Sequence, residues 1–231
     1  MMTRAGRHAG EPGGGPDGVA PGVEFQRVSK AFDTGSGRVG LRELSFQVPP
    51  GSTAALVGPN GVGKTTALRV AATLVAPTTG HAFVSGLDCV RAPARVRALL
   101  GVSLGGPRSF YWRLSAAHNL AFFAVLRGAA PVRAGSLVRA LADELGFAGA
   151  LTAPARGLSR GTLGRMAIAR ALLCDPDVIL LDEPFAAIDA SGRELVWDAL
   201  RRRVDAGASA LIATHDLSVA GRCDAVIRPA T

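Results

Sequence analysis

The segment Gly58-Pro59-Asn60-Gly61-Val62-Gly63-Lys64-Thr65-Thr66 constrains this chain more than any other, because it lies between an apolar run, Thr53 to Val57, and a helix-compatible stretch, Ala67 to Val75. A strand that feeds a glycine-rich turn and then a helix makes a phosphate cradle: the glycines let the backbone curl with its N–H groups inward, and the helix start presents positive partial charge. Lys64 is then placed to reach β- and γ-phosphates, and the Thr65 hydroxyl to ligate Mg²⁺. A plain turn between strand and helix calls for no Lys-Thr pair at its end.

Four further segments follow in order: Leu158-Ser159-Arg160-Gly161-Thr162, Val178-Ile179-Leu180-Leu181-Asp182-Glu183-Pro184, Ala186-Ala187-Ile188-Asp189 and Thr214-His215-Asp216. With the cradle, this series resembles the ATP-binding-cassette (ABC) ATPases, over about Val23 to Ile227: a signature motif, a Walker B strand, a D-loop and an H-loop. The resemblance implies ATP and Mg²⁺ as cofactors and places Phe32 where the family has its adenine-stacking aromatic. It also implies that Ser159 and the Gly161 backbone cap the γ-phosphate of ATP held by an opposite subunit, that Asp189 belongs to the nucleotide site, and that two copies make two sites.

The residues support this reading independently. Asp182 closes a four-residue apolar run, and an acid there is costly to bury without a compensating cation, so it is assigned with Thr65 to the Mg²⁺ shell. Glu183 is expected to polarise the attacking water. His215 follows the apolar run Ser209 to Ala213 and is expected to bond the γ-phosphate; Lys64, Glu183 and His215 are thus the catalytic set.

Two departures from the family pattern stand out: Arg160 where Gly is usual and Thr162 where Gln is usual. A third is Gly106, which falls where the family has a Mg²⁺-binding glutamine and has no side chain to ligate with. The run Gly105 to Leu114 resembles cassettes that serve ABC-2-type bacterial exporters, and the resemblance places the docking of an integral membrane permease near Arg108 to Leu114. Clustered aromatics beside Arg suit such an anchor.

At 231 residues, 48% of them hydrophobic, the chain holds one domain of ordinary size. No run approaches the roughly 18 to 20 apolar residues of a spanning helix. Association with the cytoplasmic face of the cell membrane is therefore expected through the permease. Residues 1 to 22, rich in Gly and Pro, are expected to be a disordered tail, with the cassette over 23–231 and a helical sub-domain at about 105–160. Cys89, Cys174 and Cys223 show no metal or disulfide spacing and are expected to pack. The net charge of +8 is spread along the chain and almost wholly Arg, so no nucleic-acid partner is expected, and Arg201-Arg202-Arg203 is expected to face solvent at a helix end.

The expected fold is α/β: a P-loop NTPase core with a parallel-rich central sheet, a small antiparallel β sub-domain and an inserted helical sub-domain. Strands are expected at Val23 to Lys30, Leu44 to Val48, Thr53 to Val57, His81 to Val84, Gly101 to Leu104, Val178 to Leu181 and Ser209 to Ala213, and a helix at Thr162 to Leu173. The inserted helices are expected to bury Leu114, His118, Ala121, Phe122 and Val125 on one face, and Leu137, Val138, Leu141 and Leu145 on another. The function that follows is that of an ATP-hydrolysing transporter subunit. The alternatives are a non-transport cassette acting on DNA or ribosomes, which would need a long coiled coil or a second cassette, and a regulatory cassette with little turnover, which Gly106 would favour.

Overall fold

Near-alternating apolar residues at the start of the chain turn one strand face inward. Strand β1 (Val23–Ala31) pairs antiparallel with β2 (Val39–Val48), and Val23, Phe25 and Val28 are buried. The computed structural model describes residues 19–32, 39–105 and 110–230. In it β1 also pairs with β4 (Thr79–Val84), and β4 with the short β5 (Leu87–Asp88), giving an antiparallel sheet in the order β2-β1-β4-β5.

The second sheet takes the continuous apolar runs. Its strands are β3 (Thr53–Val57), β6 (Leu100–Ser103), β7 (Val178–Asp182), β8 (Ser209–Thr214) and β9 (Ala225–Ile227), in the order β6-β7-β8-β3-β9 with every pairing parallel. All residues of β3 and β8 are buried, as a sheet covered on both faces requires. Alternation sends Ile179, Leu181 and Ile212 into one core and Val178, Leu180 and Leu211 into another. The second core is closed by the antiparallel sheet and by α1 (Lys64–Ala71), with α2 (Pro93–Leu99) at its edge.

The first core is closed by α3 (Ala116–Leu126), α4 (Pro131–Glu144), α5 (Arg160–Leu172) and α6 (Ala190–Asp205); the short α7 (Leu217–Ala220) follows β8. The α/β architecture is as expected, with four local corrections. Helix α1 begins at Lys64 and ends at Ala71, short of Val75, because Thr73 turns left-handed (φ 60°) and Leu74 N–H donates to Arg69 O at 2.9 Å, a closing pattern that ends helices. Helix α3 buries Ala116, Asn119, Leu120 and Ala124, while Leu114, Phe122 and Val125 are about two-fifths exposed. That helix is apolar nearly all round, so periodicity did not say which side faces the core. In α4 the expected Val138 and Leu141 are buried, together with Ala134 and Ala142.

The third correction concerns Arg203: Arg201 and Arg202 face solvent at the helix end as expected, with side chains 42% and 60% exposed, whereas Arg203 is only 15% exposed, and all three are ion-paired. Arg201 reaches Asp224 (3.2 Å), Arg202 Nη2 reaches Glu144 Oε1 (2.7 Å), and Arg203 grips the same carboxylate through Oε1 and Oε2. Glu144 thereby ties the end of α4 to the end of α6. Of the cysteines, Cys89 is buried and Cys223 half-buried, and burial pushes their thiols up to about 12 and about 11; Cys174 is exposed and does not pack as expected. Residues 1–18 of the expected tail lie outside the described residues, whereas Gly22 already bonds into the sheet, its N–H donating to Val48 O at 2.8 Å.

Burial pushes the Glu144 carboxyl up, but the bonds from Arg203 and Arg202 prevail and hold it below its ordinary value of 4.5. A carboxylate lowered on folding contributes its full stability above the unfolded pKa and loses it as the pH falls through the folded one. Glu144→Gln is therefore expected to cost about 2 kcal/mol at pH 7, the scale of hydrogen bonds to a charged group, with the deficit shrinking once the pH falls below 4.5. Urea unfolding at pH 7 and near pH 4 checks this; an equal deficit at both would contradict it.

Candidate functional site

Strands β3, β7 and β8 are neighbours and run in parallel, with Val57 opposite Thr214 and Asp182 opposite Ala213, so all three end at the same edge of the sheet. Ligand sites in open α/β sheets lie at such an edge. The loop after β3 turns through Gly61 (φ 87°) and Gly63 (φ 104°), left-handed conformations that glycine adopts without strain. Gly63 precedes the first residue of α1, so the N–H groups of its first turn open onto the site without intrahelical partners. Lys64 is only 6% exposed, and its Nζ donates to Gly58 O (2.6 Å) and Pro59 O (3.1 Å), which places a cation over the same loop.

Across from the loop, Thr65 Oγ1 donates to Asp182 Oδ2 at 2.8 Å. Burial pushes the Asp182 carboxyl above its ordinary range; Glu183 adds to the rise, and the Thr65 bond, Lys64 and Arg69 oppose it. Two hard oxygens, one of them a carboxylate that burial leaves short of compensating charge, suit Mg²⁺, which accepts few protein ligands and completes its shell with water and phosphate oxygens.

Glu183 holds a left-handed backbone (φ 47°), uncommon outside glycine, and its N–H donates to Ala213 O at 2.9 Å. Its carboxylate is held from two sides. His215 Nδ1 lies 2.8 Å from Oε1, and the Thr214 hydroxyl donates to Oε2 at 3.3 Å. A carboxylate only accepts, so the His215 proton belongs on Nδ1, and Nε2 is the remaining nitrogen of the ring. Thr214, 2% exposed, also accepts from Asp216 N–H (3.0 Å), which leaves its one proton for Glu183. Thr214 was not among the expected residues; the signal for it was its place as the last residue of a buried strand, beside His215.

Lys64, Thr65, Asp182 and Glu183 open onto a cavity of about 850 Å³, of the size small-molecule sites have, whereas Thr214 and the expected His215 do not line it and are joined to it through Glu183. Phe32, Asn60, Gly61, Gly63, Lys64, Thr65, Thr66, Asp182 and Glu183 line it, so most of the expected nucleotide residues are brought together. Gly58 and Pro59 serve through their carbonyls on Lys64, and Val62 packs beside Gly58. Gly40, Ser103, Gly105, Arg160 and Gly164 line the cavity without having been expected there.

Ser159, Gly161 and Asp189 do not line it. Ser159 Oγ caps α5 by accepting from Thr162 N–H (3.1 Å), and Asp189 Oδ1 caps α6 by accepting from Gly192 N–H (3.0 Å). Gly161 lies against the Ala187 carbonyl: a Cβ there would stand 3.1 Å from it. Gly106 and Arg108 lie outside the described residues. In the rest of the expected docking segment, Phe110 is a core residue, 4% exposed, with the Arg170 guanidinium 5.0 Å from its ring centroid, whereas Tyr111 and Trp112 are exposed. The wholly buried Asn119 pins this loop, accepting from Tyr111 N–H (2.8 Å) and donating to Tyr111 O (3.0 Å) and Leu114 O (3.2 Å). Among the described residues no helix is long and apolar enough to cross a membrane.

Comparison with known proteins agrees with this geometry. The chain is 33% identical over 188 residues to the ABC transporter ATP-binding protein NatA of Bacillus subtilis (strain 168), a match covering 81% of this chain and 76% of NatA. It is 36% identical over 177 residues to the daunorubicin/doxorubicin resistance ATP-binding protein DrrA of Streptomyces peucetius, covering 77% of this chain and about half (53%) of DrrA. Its fold superposes with a TM-score of 0.83 on a solved dimeric post-hydrolysis state of the ATP-binding cassette MJ0796 bound to ADP and Pi, at 22% identity, covering 90% of this chain and 94% of that one. The ABC transporter family matches residues 41–186, more than half of the chain, and with the phosphate loop, the Thr65–Asp182 pair and the Glu183–His215 pair at one sheet edge the protein belongs to that family as an ATP-binding cassette.

Proposed function

We propose that the chain is the ATP-binding and hydrolysing subunit of an ABC transporter, and that two copies close around two Mg·ATP to drive a separate membrane permease from the cytoplasmic face. The observation that carries this reading is the convergence of Lys64, Thr65, Asp182, Glu183 and His215 from three parallel strand ends. The N–H groups at the start of α1 and the Lys64 ammonium bind the phosphates, and the Phe32 ring is the stacking surface for adenine. Thr65 and Asp182 hold Mg²⁺, which when bound offsets the negative charge that builds on the phosphate oxygens. Glu183 takes a proton from the attacking water, with Thr214 fixing one carboxylate oxygen and His215 the other. The proposed bond from His215 to the γ-phosphate would come from Nε2–H of the doubly protonated ring, since Nδ1–H is given to Glu183.

Ser159 and the Gly161 backbone, standing at the start of α5 and outside the cavity lining, are proposed to cap the γ-phosphate held by a second copy, with Asp189 at the same boundary. The partner proposed is identical, a homodimer. The permease is proposed to dock beside Arg108 to Leu114, on the surface formed by the exposed Tyr111, Trp112, Leu114 and Phe122, where Tyr111 and Phe122 stand edge to face at 5.4 Å. Export is the proposed direction, supported by the exporter-like run Gly105 to Leu114.

Glu183→Gln keeps the phosphate loop and removes the base, so the chain should bind Mg·ATP with unchanged affinity, lose most of its turnover and accumulate as a dimer on size exclusion with Mg·ATP. A variant that binds ATP normally yet stays monomeric at high protein concentration would contradict the two-copy site.

Tyr111→Ala with Trp112→Ala should leave the melting temperature and ATP affinity of the isolated subunit unchanged. Pull-down by the permease should weaken at least about a hundredfold, two interface anchors each contributing ~2 kcal/mol. Loss of folding in that double variant would show that the rings belong to the core.

A further inference from the structure

We propose that Gly40 is a positioning residue for the nucleotide base: its missing side chain is what lets the Phe32 ring lie along the wall of the cavity. The proposal rests on the reading of Phe32 as the adenine platform and goes beyond it, since it assigns specificity for the base to a residue that cannot itself contact it through a side chain. Gly40 and Phe32 line the same cavity. In the pairing of β1 with β2, Lys30 faces Leu41 and Ala31 faces Val39, so Gly40 is the extra residue of a bulge. Bulges turn the residue they add out of the regular ladder and re-aim what lies beside it.

A Cβ placed on Gly40 would stand 2.3 Å from Phe32 Cε2 and 2.5 Å from Cδ2, far inside any carbon–carbon contact, while the next nearest atom, Lys30 O, would stand at 3.3 Å. The backbone at Gly40 is not in the left-handed region, so the conformation itself does not call for glycine. The space does. Because the blocked atoms belong to a side chain that rotates about χ1, an added methyl moves the ring and spares the strand. Lys30 Nζ lies 5.4 Å from the ring centroid. On its other side Gly40 meets the phosphate loop: a Cβ on Gly63 would stand 2.7 Å from Gly40 O. A substitution at Gly40 therefore has two routes to the ligand, one through the base and one through the phosphates, and a ligand without a base separates them.

The test is isothermal titration calorimetry of the full chain with Mg²⁺ and either ATP or inorganic tripolyphosphate, for Gly40→Ala, Phe32→Ala and the double variant. Gly40→Ala and Phe32→Ala should each weaken ATP about tenfold, the scale of one base–aromatic stack, with tripolyphosphate affinity unchanged. The double variant should bind ATP as Phe32→Ala does, since the ring on which the methyl acts is gone. Any loss of melting temperature in Gly40→Ala should likewise be relieved in the double variant. Wild-type ATP affinity in Gly40→Ala beside a weakened Phe32→Ala would overturn the role of Gly40 and leave the stacking reading standing. Equal weakening of tripolyphosphate, or a double variant weaker than Phe32→Ala, would show action through Gly63 and overturn it as well. Unchanged ATP affinity in Phe32→Ala would overturn the stacking reading and this proposal with it.

Discussion

The parallel register of β7, β8 and β3 is the constraint on which the site depends. It sets Asp182 opposite Ala213 and Val57 opposite Thr214, so three chain segments far apart in sequence leave the sheet at one edge. Thr65 and Asp182, 117 residues apart, can then share a 2.8 Å hydrogen bond, and Glu183 can meet both Thr214 and His215. Apolar residues on both faces of these strands enforce the register, because a slip of one residue would carry Val178 and Leu180 into the wrong core. The polar groups are concentrated where the strands stop, and there the left-handed Glu183 and the partly buried Asp182 depart from what stability alone would select.

Much of this was legible from local signals. The strand Thr53–Val57 coincides with the expected residues, since a short apolar run closed by a glycine-rich loop admits few other readings. The run Val178 to Leu181 announced a strand buried on both faces, and the two carboxylates after it stand at the strand end, Asp182 bonded to Thr65 and Glu183 to His215. The phosphate role proposed for the loop rests on backbone N–H groups and one cation, which the motif itself specifies.

What was not legible depended on partners distant in sequence. Arg203 read as part of a solvated run because Glu144, which covers it while also pairing with the exposed Arg202, lies 59 residues away. Helix α3 read one face out of phase, since Phe122 and Val125 are as apolar as the Leu120 that is actually buried. Phe110, Tyr111 and Trp112 are consecutive aromatics, yet Phe110 enters the core under Arg170 while its neighbours face outward, a division made by the pinning of the loop on Asn119. Gly40 carries no sequence signal beyond being a glycine in a strand; its meaning comes only from the ring beside it.

The central claim is that the ends of β3 and β7 form one metal–phosphate site through Thr65 and Asp182. Its most direct measurement is electron paramagnetic resonance of Mn²⁺ in place of Mg²⁺, titrated into the chain with a non-hydrolysable ATP analogue. The account predicts one tightly held ion per chain in the wild type, its affinity falling at least about tenfold in both Thr65→Val and Asp182→Asn while the nucleotide stays bound. An ion held with unchanged affinity in both variants would contradict it.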